Sequence, residues 1–140
     1  MPFKRGGKVL AEAIEGMNQA DAARIKKASG LPVICVGGWQ TAGPIRAALD
    51  AGHCDVISIA RSLLANPDLV RRFAAGQDAP EKPCTYCNKC AVNALLHPLA
   101  CYEESRFESR EQMFEESYRI YREAAVGVHP AERAEGTTAG

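Results

Sequence analysis

The chain has 140 residues and equal numbers of acidic and basic side chains, so its net charge is zero. This balance excludes the strongly basic surfaces that bind nucleic acid or anionic membranes. The sequence contains no apolar run long enough to span a membrane. No signal-peptide core is visible in the first ten residues. We therefore expect a cytoplasmic protein with no nucleic-acid or membrane partner.

The N-terminal part predicts a loop followed by a helix. Residues 1–16 contain one glycine pair, a further glycine at residue 16 and no strand pattern, so we predict a loop there, in which residues 9–14 could form a helical turn. Asn18 is a favourable N-cap, and Asp21 places a negative charge in the first turn of a helix. Two lysines and then Gly30 are typical of a helix C-terminus. These signals predict a helix over residues 19–28.

Two short apolar runs follow, at residues 32–36 and 55–59. Neither run alternates polar with apolar residues, which is typical of strands buried on both faces of a parallel sheet. Residues 44–51 lie between them and have the length and alanine content of a crossover helix, with Pro44 in its first turn. The pattern predicts one βαβ unit and an α/β fold.

Both predicted strands end in residues that suit an anion. Gly37 and Gly38 follow the first strand, where glycines allow a sharp turn and bring N–H groups close to a ligand. Ala60 and Arg61 follow the second, and a guanidinium can bind a phosphate through two hydrogen bonds. The loops after the last two strands of (β/α)₈ barrels commonly form a phosphate site. The spacing leaves open an ordinary βαβ turn with a surface arginine.

The sequence Asn66-Pro67-Asp68 predicts the start of another helix, after a short turn at residues 63–65. Gly76 ends this helix. Its buried face is predicted to consist of Leu69, Val70 and Phe73.

Near the C-terminus, Ser109 and Gln112 form a capping-box pattern, which predicts a helix over residues 110–124. Its composition suggests an apolar stripe of Met113, Phe114, Tyr118 and Tyr121. Residues 126–140 are small, polar or charged, and we predict a disordered tail.

Four of the six cysteines follow the pattern C-x₂-C-x₂-C-x₁₀-C, namely Cys84, Cys87, Cys90 and Cys101. Clustered cysteines in a cytosolic protein more often hold a metal than form disulfides. Four thiolates could bind a 4Fe–4S cluster or a tetrahedral zinc ion, and plain buried thiols are the third option. By contrast, Cys35 and Cys54 are predicted to be small core residues. His53 and His97 are predicted to be structural.

Three stretches together resemble the C-terminal part of the NADH:flavin oxidoreductases of the old yellow enzyme type, nearest to the 2,4-dienoyl-CoA reductase branch. They are residues 32–38, 55–68 and 83–90. The similarity spans roughly residues 8–108. It implies the C-terminal part of a TIM (β/α)₈ barrel, whose seventh and eighth strands are residues 32–36 and 55–59. The implied organisation is a barrel part at residues 1–80, a cysteine segment at 81–108, a C-terminal helix at 109–125 and the tail.

The resemblance also implies a function. FMN is the expected cofactor, with its phosphate bound by Gly37, Gly38, Ala60 and Arg61, and NAD(P)H is the expected electron donor. The complete enzyme would reduce an enone or enoyl thioester. In the related branch the cysteines bind a 4Fe–4S cluster, and here their spacing is one residue shorter in two places.

The resemblance supplies no catalytic residue for this chain. The flavin-ring contacts and the proton-donating tyrosine of the family lie on earlier strands, so we expect this fragment to be inactive. Trp39 is expected to flank the flavin. A homo-oligomer is compatible with this interpretation. The alternative is a small non-catalytic module that binds metal or phosphate through its cysteines or its basic loop.

Overall fold

The computed structural model describes residues 4–5 and 8–127. It opens with an antiparallel pair of two-residue strands, β1 (Lys4–Arg5) and β2 (Lys8–Val9), followed directly by helix α1 (Leu10–Ile14). The prediction of a loop without strands over residues 1–16 was therefore wrong, whereas the helical turn considered for residues 9–14 is present as α1. The segment lacks the alternating apolar residues that normally signal a strand, and its strands are too short to show a period.

A βαβ unit forms the centre of the chain. Strands β3 (Ile34–Val36) and β4 (Val56–Ser58) are parallel, with Cys35 opposite Ile57. Helix α3 (Ala42–Asp50) connects them, and helix α2 (Gln19–Ser29) precedes β3. The α/β class and the order of helices and strands are confirmed. Among the described residues, β3 pairs only with β4.

Burial in this sheet alternates from one residue to the next. Cys35 is buried, whereas its neighbours Ile34 and Val36 are exposed, and Val56 in β4 is exposed as well. The prediction of strands buried on both faces was wrong for this chain. One face packs against the helices, and no second layer of described residues covers the other.

The core of this unit consists of small residues around one large ring. Trp39 is almost fully buried and packs in a cluster with Ala22, Cys35, Ala48 and Cys54. Both cysteines therefore have the predicted core role. Trp39 was expected to flank a flavin, but its position inside this core makes it a packing residue.

The two ends of helix α2 differ in how well the capping predicted from the sequence is observed. Gly30 adopts a left-handed conformation, and its N–H donates to the carbonyl of Lys26, as a glycine C-cap requires. Asn18 makes no side-chain capping bond and instead donates from Nδ2 to the Val36 carbonyl, 2.7 Å away. Its amide therefore ties the start of α2 to the end of β3.

Two short helices follow β4. Helix α4 (Arg61–Ala65) includes all three residues predicted as a turn, and α5 (Leu69–Ala74) follows it. Leu69 is fully buried as predicted, but Val70 is exposed. In the last third of the chain lie α6 (Lys89–Asn93), a 3₁₀ turn (Glu104–Arg106) and α7 (Arg110–Gly127).

Half of the predicted capping box of α7 forms, because the Gln112 side chain accepts from the N–H of Glu108 and not from that of Ser109. Ser109 Oγ accepts from the Gln112 N–H at 3.1 Å, and the Gln112 side chain accepts from the Glu108 N–H at 2.7 Å. Met113 is buried, whereas Tyr118 and Tyr121 are exposed. The helix includes residues 126 and 127, which were predicted to belong to the tail, and residues 128–140 lie outside the described part. Within the described residues, no helix has both the length and the apolar character required to cross a membrane.

Candidate functional site

The glycine pair after β3 lies against the segment that joins α1 to α2. Gly38 has a φ of +65°, and a Cβ at this position would overlap the Ile14 side chain. The Gly37 carbonyl accepts from the Gly16 N–H at 2.7 Å. Glycine is therefore required at residue 38 by backbone conformation and close packing. These packing contacts account for glycine at residues 37 and 38 and do not require a bound ligand.

Arg61 begins helix α4, directly after its N-cap residue Ala60. Its Nη1 donates to Asn88 Oδ1 at 2.6 Å, and its guanidinium carbon lies 4.7 Å from the centre of the Tyr86 ring. A guanidinium has five N–H donors, so the bond to Asn88 uses one of them. Arg61 is half-buried, and it joins the barrel-like part of the chain to the cysteine segment.

Tyr86 connects the two halves of the predicted phosphate site. This side chain is buried, and its hydroxyl donates to the Gly38 carbonyl at 2.5 Å and lies 3.3 Å from Ser62 Oγ. Burial raises the pKa of the Tyr86 hydroxyl, so it remains a protonated donor at neutral pH. The loop after β3 and the start of α4 thus both contact one tyrosine, which also lies beneath Arg61.

The donors at the start of α4 are chemically suited to a phosphate. The first N–H groups of a helix lack intrahelical partners. In α4 the N–H groups of Leu63 and Leu64 already donate to the Ala60 carbonyl, which leaves those of Arg61 and Ser62 at the start of the helix. Gly38 contributes less than the sequence suggested, because its open side is filled by Ile14. The residues present therefore fit a phosphate group through Ala60 and Arg61 more clearly than through the glycine pair.

The four clustered cysteines line one small pocket, together with Arg61. Its volume is about 20 Å³, which has room for about one water molecule. The pocket brings Cys101 to the C-x₂-C-x₂-C stretch, as the spacing predicts. A 4Fe–4S cluster would require the thiols to move apart.

The protonation of these thiols follows from their surroundings. Burial raises the pKa of Cys84 and of Cys101, and neighbouring thiols of the cluster raise it further, while Arg61 lowers that of Cys84. No group of three or more His, Cys, Asp or Glu side chains in the described part of the chain is arranged to hold a metal ion. The donor set fits a metal chemically, but the observed arrangement does not form a metal site.

The backbone of the cysteine segment contains two residues with positive φ. Tyr86 has a φ of 56° and Asn88 a φ of 63°, in a stretch where no glycine occurs. Asparagine tolerates this conformation, whereas tyrosine rarely adopts it. Such residues persist where surrounding contacts enforce them, and they concentrate at functional sites. Here the enforcing contacts are those with Gly38 and Arg61.

Glu15 is a structural residue that the sequence did not reveal. Its carboxylate accepts from the N–H groups of Gln40 at 2.8 Å and Thr41 at 2.7 Å, and also from the Thr41 hydroxyl. These bonds hold the segment after α1 against the start of α3. The Gln40 side chain in turn accepts from the Cys84 N–H at 2.9 Å. The contacts join residues more than 20 positions apart, so no local pattern could indicate them.

Arg106 has a similar role at the other end of the cysteine segment. Its Nη2 donates to the Ala65 carbonyl at 2.5 Å and to Asn66 Oδ1 at 3.1 Å, and its Nη1 donates to the Lys82 carbonyl. The guanidinium thereby fixes the turn between α4 and α5 to the start of the cysteine segment. Arg106 is thus a structural arginine.

The other candidate residues have structural surroundings. His53 Nδ1 lies within hydrogen-bonding distance of the Gln19 side chain, and His97 lies among aromatic rings near α7. Both histidines fit the structural role predicted for them.

Three curated reductases match about half of this chain. A bilirubin reductase of Mediterraneibacter gnavus is 38% identical over 72 residues, which are 51% of this chain and 11% of the relative. A metal reductase of Desulforamulus reducens is 33% identical over 79 residues, 55% of this chain and 12% of the relative. A 4,4'-dithiodibutanoate disulfide reductase of Rhodococcus erythropolis is 36% identical over 76 residues, 54% of this chain and 18% of the relative.

This chain thus spans less than a fifth of the length of these relatives. No solved structure matches it. A family model matches residues 7–79, which include the βαβ unit, Arg61 and α5 but end before Cys84. The matched range is slightly more than half of the 140 residues. The chain therefore belongs to the NADH:flavin oxidoreductase / NADH oxidase family.

Proposed function

We propose that this chain supplies the FMN phosphate site of a flavin-dependent reductase. In this proposal, β3 and β4 are the seventh and eighth strands of a TIM barrel, and their carboxyl ends face the cofactor, as in other (β/α)₈ barrels. Family membership and the parallel βαβ unit support the proposal. Because the chain spans less than a fifth of its curated relatives, the remaining strands and the activity of the whole protein are part of the proposal.

One observation carries the proposal. Tyr86 contacts both the Gly38 carbonyl and the Arg61 guanidinium, which places the loop after β3 and the start of α4 side by side. The Arg61 side chain then binds the phosphate through charge-assisted hydrogen bonds, and the first N–H groups of α4 donate to the same oxygens. Ala60 leaves this approach open because its side chain is small and exposed.

When bound, FMN supplies the transfer of hydride from NAD(P)H to an activated C=C bond of an enone or enoyl thioester. The residues of this chain bind and orient the phosphate end of that cofactor. We assign the role of general acid to none of its described residues. The relatives' names refer to bilirubin, a metal and a disulfide, so they do not narrow the substrate.

The test replaces Arg61 with alanine in the complete reductase, which contains the flavin-ring contacts, and measures FMN and riboflavin binding by flavin fluorescence. Riboflavin lacks the phosphate, so it reports on the rest of the binding site. Arg61→Ala should weaken FMN binding by about 1.5–3 kcal/mol, the value of a hydrogen bond to a charged group, and leave riboflavin binding unchanged. Arg71→Ala, at an exposed arginine of α5, is the matched control. Equal FMN affinity in the two variants would refute the assignment.

A second candidate function is metal binding by the cysteine segment, with or without catalysis. The convergence of four thiols on one pocket favours it. We propose a 4Fe–4S cluster as the first choice and a single zinc ion as the alternative. Either group requires loss of protons from the thiols, so binding should strengthen as pH rises. The cluster also requires the pocket to widen.

The proposal also covers the cellular compartment of the protein and its association with other chains. All six cysteines are free thiols, which suits the reducing cytoplasm. The exposed face of the β3–β4 sheet suits association with further chain, either the rest of a barrel or a second copy.

A further inference from the structure

Arg61 is held on two sides by residues that stand between the cysteines. Asn88 accepts a hydrogen bond from its Nη1 at 2.6 Å, and the ring of Tyr86 lies 4.7 Å from the guanidinium carbon. Neither residue is within the part of the chain that matches the family model, which ends at residue 79. The cysteine segment therefore contacts Arg61, just after β4, through side chains other than its thiols.

The two contacts constrain different motions of the arginine. The Asn88 oxygen fixes the direction of one N–H group, while the flat ring of Tyr86 limits the tilt of the guanidinium plane. Tyr86 is itself fixed, because it is buried and its hydroxyl donates to the Gly38 carbonyl. An arginine held in this way loses less side-chain freedom on binding an anion than a free one.

We propose that Asn88 and Tyr86 are positioning residues that orient Arg61 toward the flavin phosphate. The C-x₂-C-x₂-C stretch then contributes to cofactor binding through its intervening residues, whether or not its thiols hold a metal. This inference rests on the proposed FMN site. It predicts that the loss of Asn88 weakens recognition of the phosphate and not of the flavin ring.

The first test is Asn88→Gly, which removes the carboxamide and still allows the positive φ at this position. The affinities of the complete reductase for FMN and riboflavin are measured by fluorescence titration, with inorganic phosphate as a competitor. We expect FMN affinity to fall about tenfold, or ~1.4 kcal/mol, with riboflavin affinity unchanged. Thr85→Ala is the control, since Thr85 lies in the same stretch but donates to Glu103 instead. It should keep the wild-type preference for FMN.

Asn88→Asp covers the case in which the glycine variant does not fold. Aspartate keeps the shape and tolerates the backbone conformation, but its carboxylate pairs with Arg61 and repels the phosphate. FMN affinity should therefore fall further than in Asn88→Gly, again without an effect on riboflavin. If folded Asn88 variants retain the wild-type ratio of FMN to riboflavin affinity, the inference is wrong. If the complete wild-type reductase shows no preference for FMN over riboflavin, the proposed phosphate site is wrong and the inference falls with it.

Discussion

The βαβ unit and the cysteine segment are built in different ways. The βαβ unit is held by a parallel strand pair and by a core of small residues around Trp39. The cysteine segment contains only one short helix and one 3₁₀ turn, and long-range side-chain hydrogen bonds from Arg61, Gln40 and Arg106 hold it in place. Apolar burial stabilises the first region, whereas the second combines polar contacts to the first region with the burial of Tyr86 and Tyr102.

The comparison also separates the two sets of cysteines. Cys35 and Cys54 are buried side by side in the core, where the Cys54 thiol helps burial to raise the pKa of Cys35. The four cysteines of the second region line a small pocket beside Arg61 and are less buried. A thiol in the core is shielded from reagents and metals. We therefore expect the four pocket cysteines to react with thiol reagents and to bind metal more readily than Cys35 and Cys54.

The largest expected effect concerns the chain by itself. The exposed face of β3 and β4 presents Ile34, Val36 and Val56 without a covering layer of described residues. We expect residues 1–140 alone to be marginally stable, to associate through this face and to show no ene-reductase activity. Size-exclusion chromatography, denaturant unfolding and an NAD(P)H-oxidation assay with added FMN test these points. A monomer that unfolds cooperatively and turns over an enone would contradict the fragment interpretation.

The second prediction uses the two sets of cysteines. Anaerobic reconstitution with iron and sulfide should give a brown protein, and replacing any one clustered cysteine with serine should abolish the colour. Cys35→Ser and Cys54→Ser are the controls and should keep it, because these thiols lie in the core. A colourless protein with one bound zinc per chain would favour the zinc site instead. Absence of any metal would favour plain thiols.

The third prediction compares two glycines that share a conformation. Gly38 and Gly30 have φ values of +65° and +66°, but only Gly38 lacks space for a Cβ. Alanine at either position costs about 1–2 kcal/mol in left-handed strain, and Gly38→Ala should lose about 1–3 kcal/mol more by overlap with Ile14. Urea unfolding measures the difference. Equal losses in the two variants would show that Ile14 yields without cost.

The smallest effect is electrostatic and concerns Asp55. The hydrogen bond from Lys26, followed by that from the Val33 N–H, lowers the pKa of this carboxyl. Because the folded-state pKa is the lower one, the carboxylate stabilises the fold above its unfolded pKa of about 3.9. This stabilisation is lost as pH falls through the lowered pKa. Lys26→Gln should weaken the acid dependence of unfolding, and Lys27→Gln, at the exposed neighbour, should not.

The elements that could be predicted from sequence are those with local signals. The glycine C-cap at Gly30 and the side-chain cap by Ser109 depend on residues within one helical turn, and both are present. The apolar runs of β3 and β4 are also local. In contrast, the Asn18 side chain was predicted to cap its own helix, but it donates instead to the carbonyl of Val36, 18 positions along the chain. Local patterns therefore predicted the order of the elements better than the partners of individual side chains.

The sequence alone determined the α/β order, the family resemblance and the grouping of four cysteines, since each depends on residue types at short spacing. Only the tertiary structure decided that Gly38 packs on Ile14 and that Arg61 contacts Asn88 and Tyr86. These contacts join residues 24 to 27 positions apart in the chain. Their geometry follows from how β3, α4 and the cysteine segment pack together, and no local pattern encodes it.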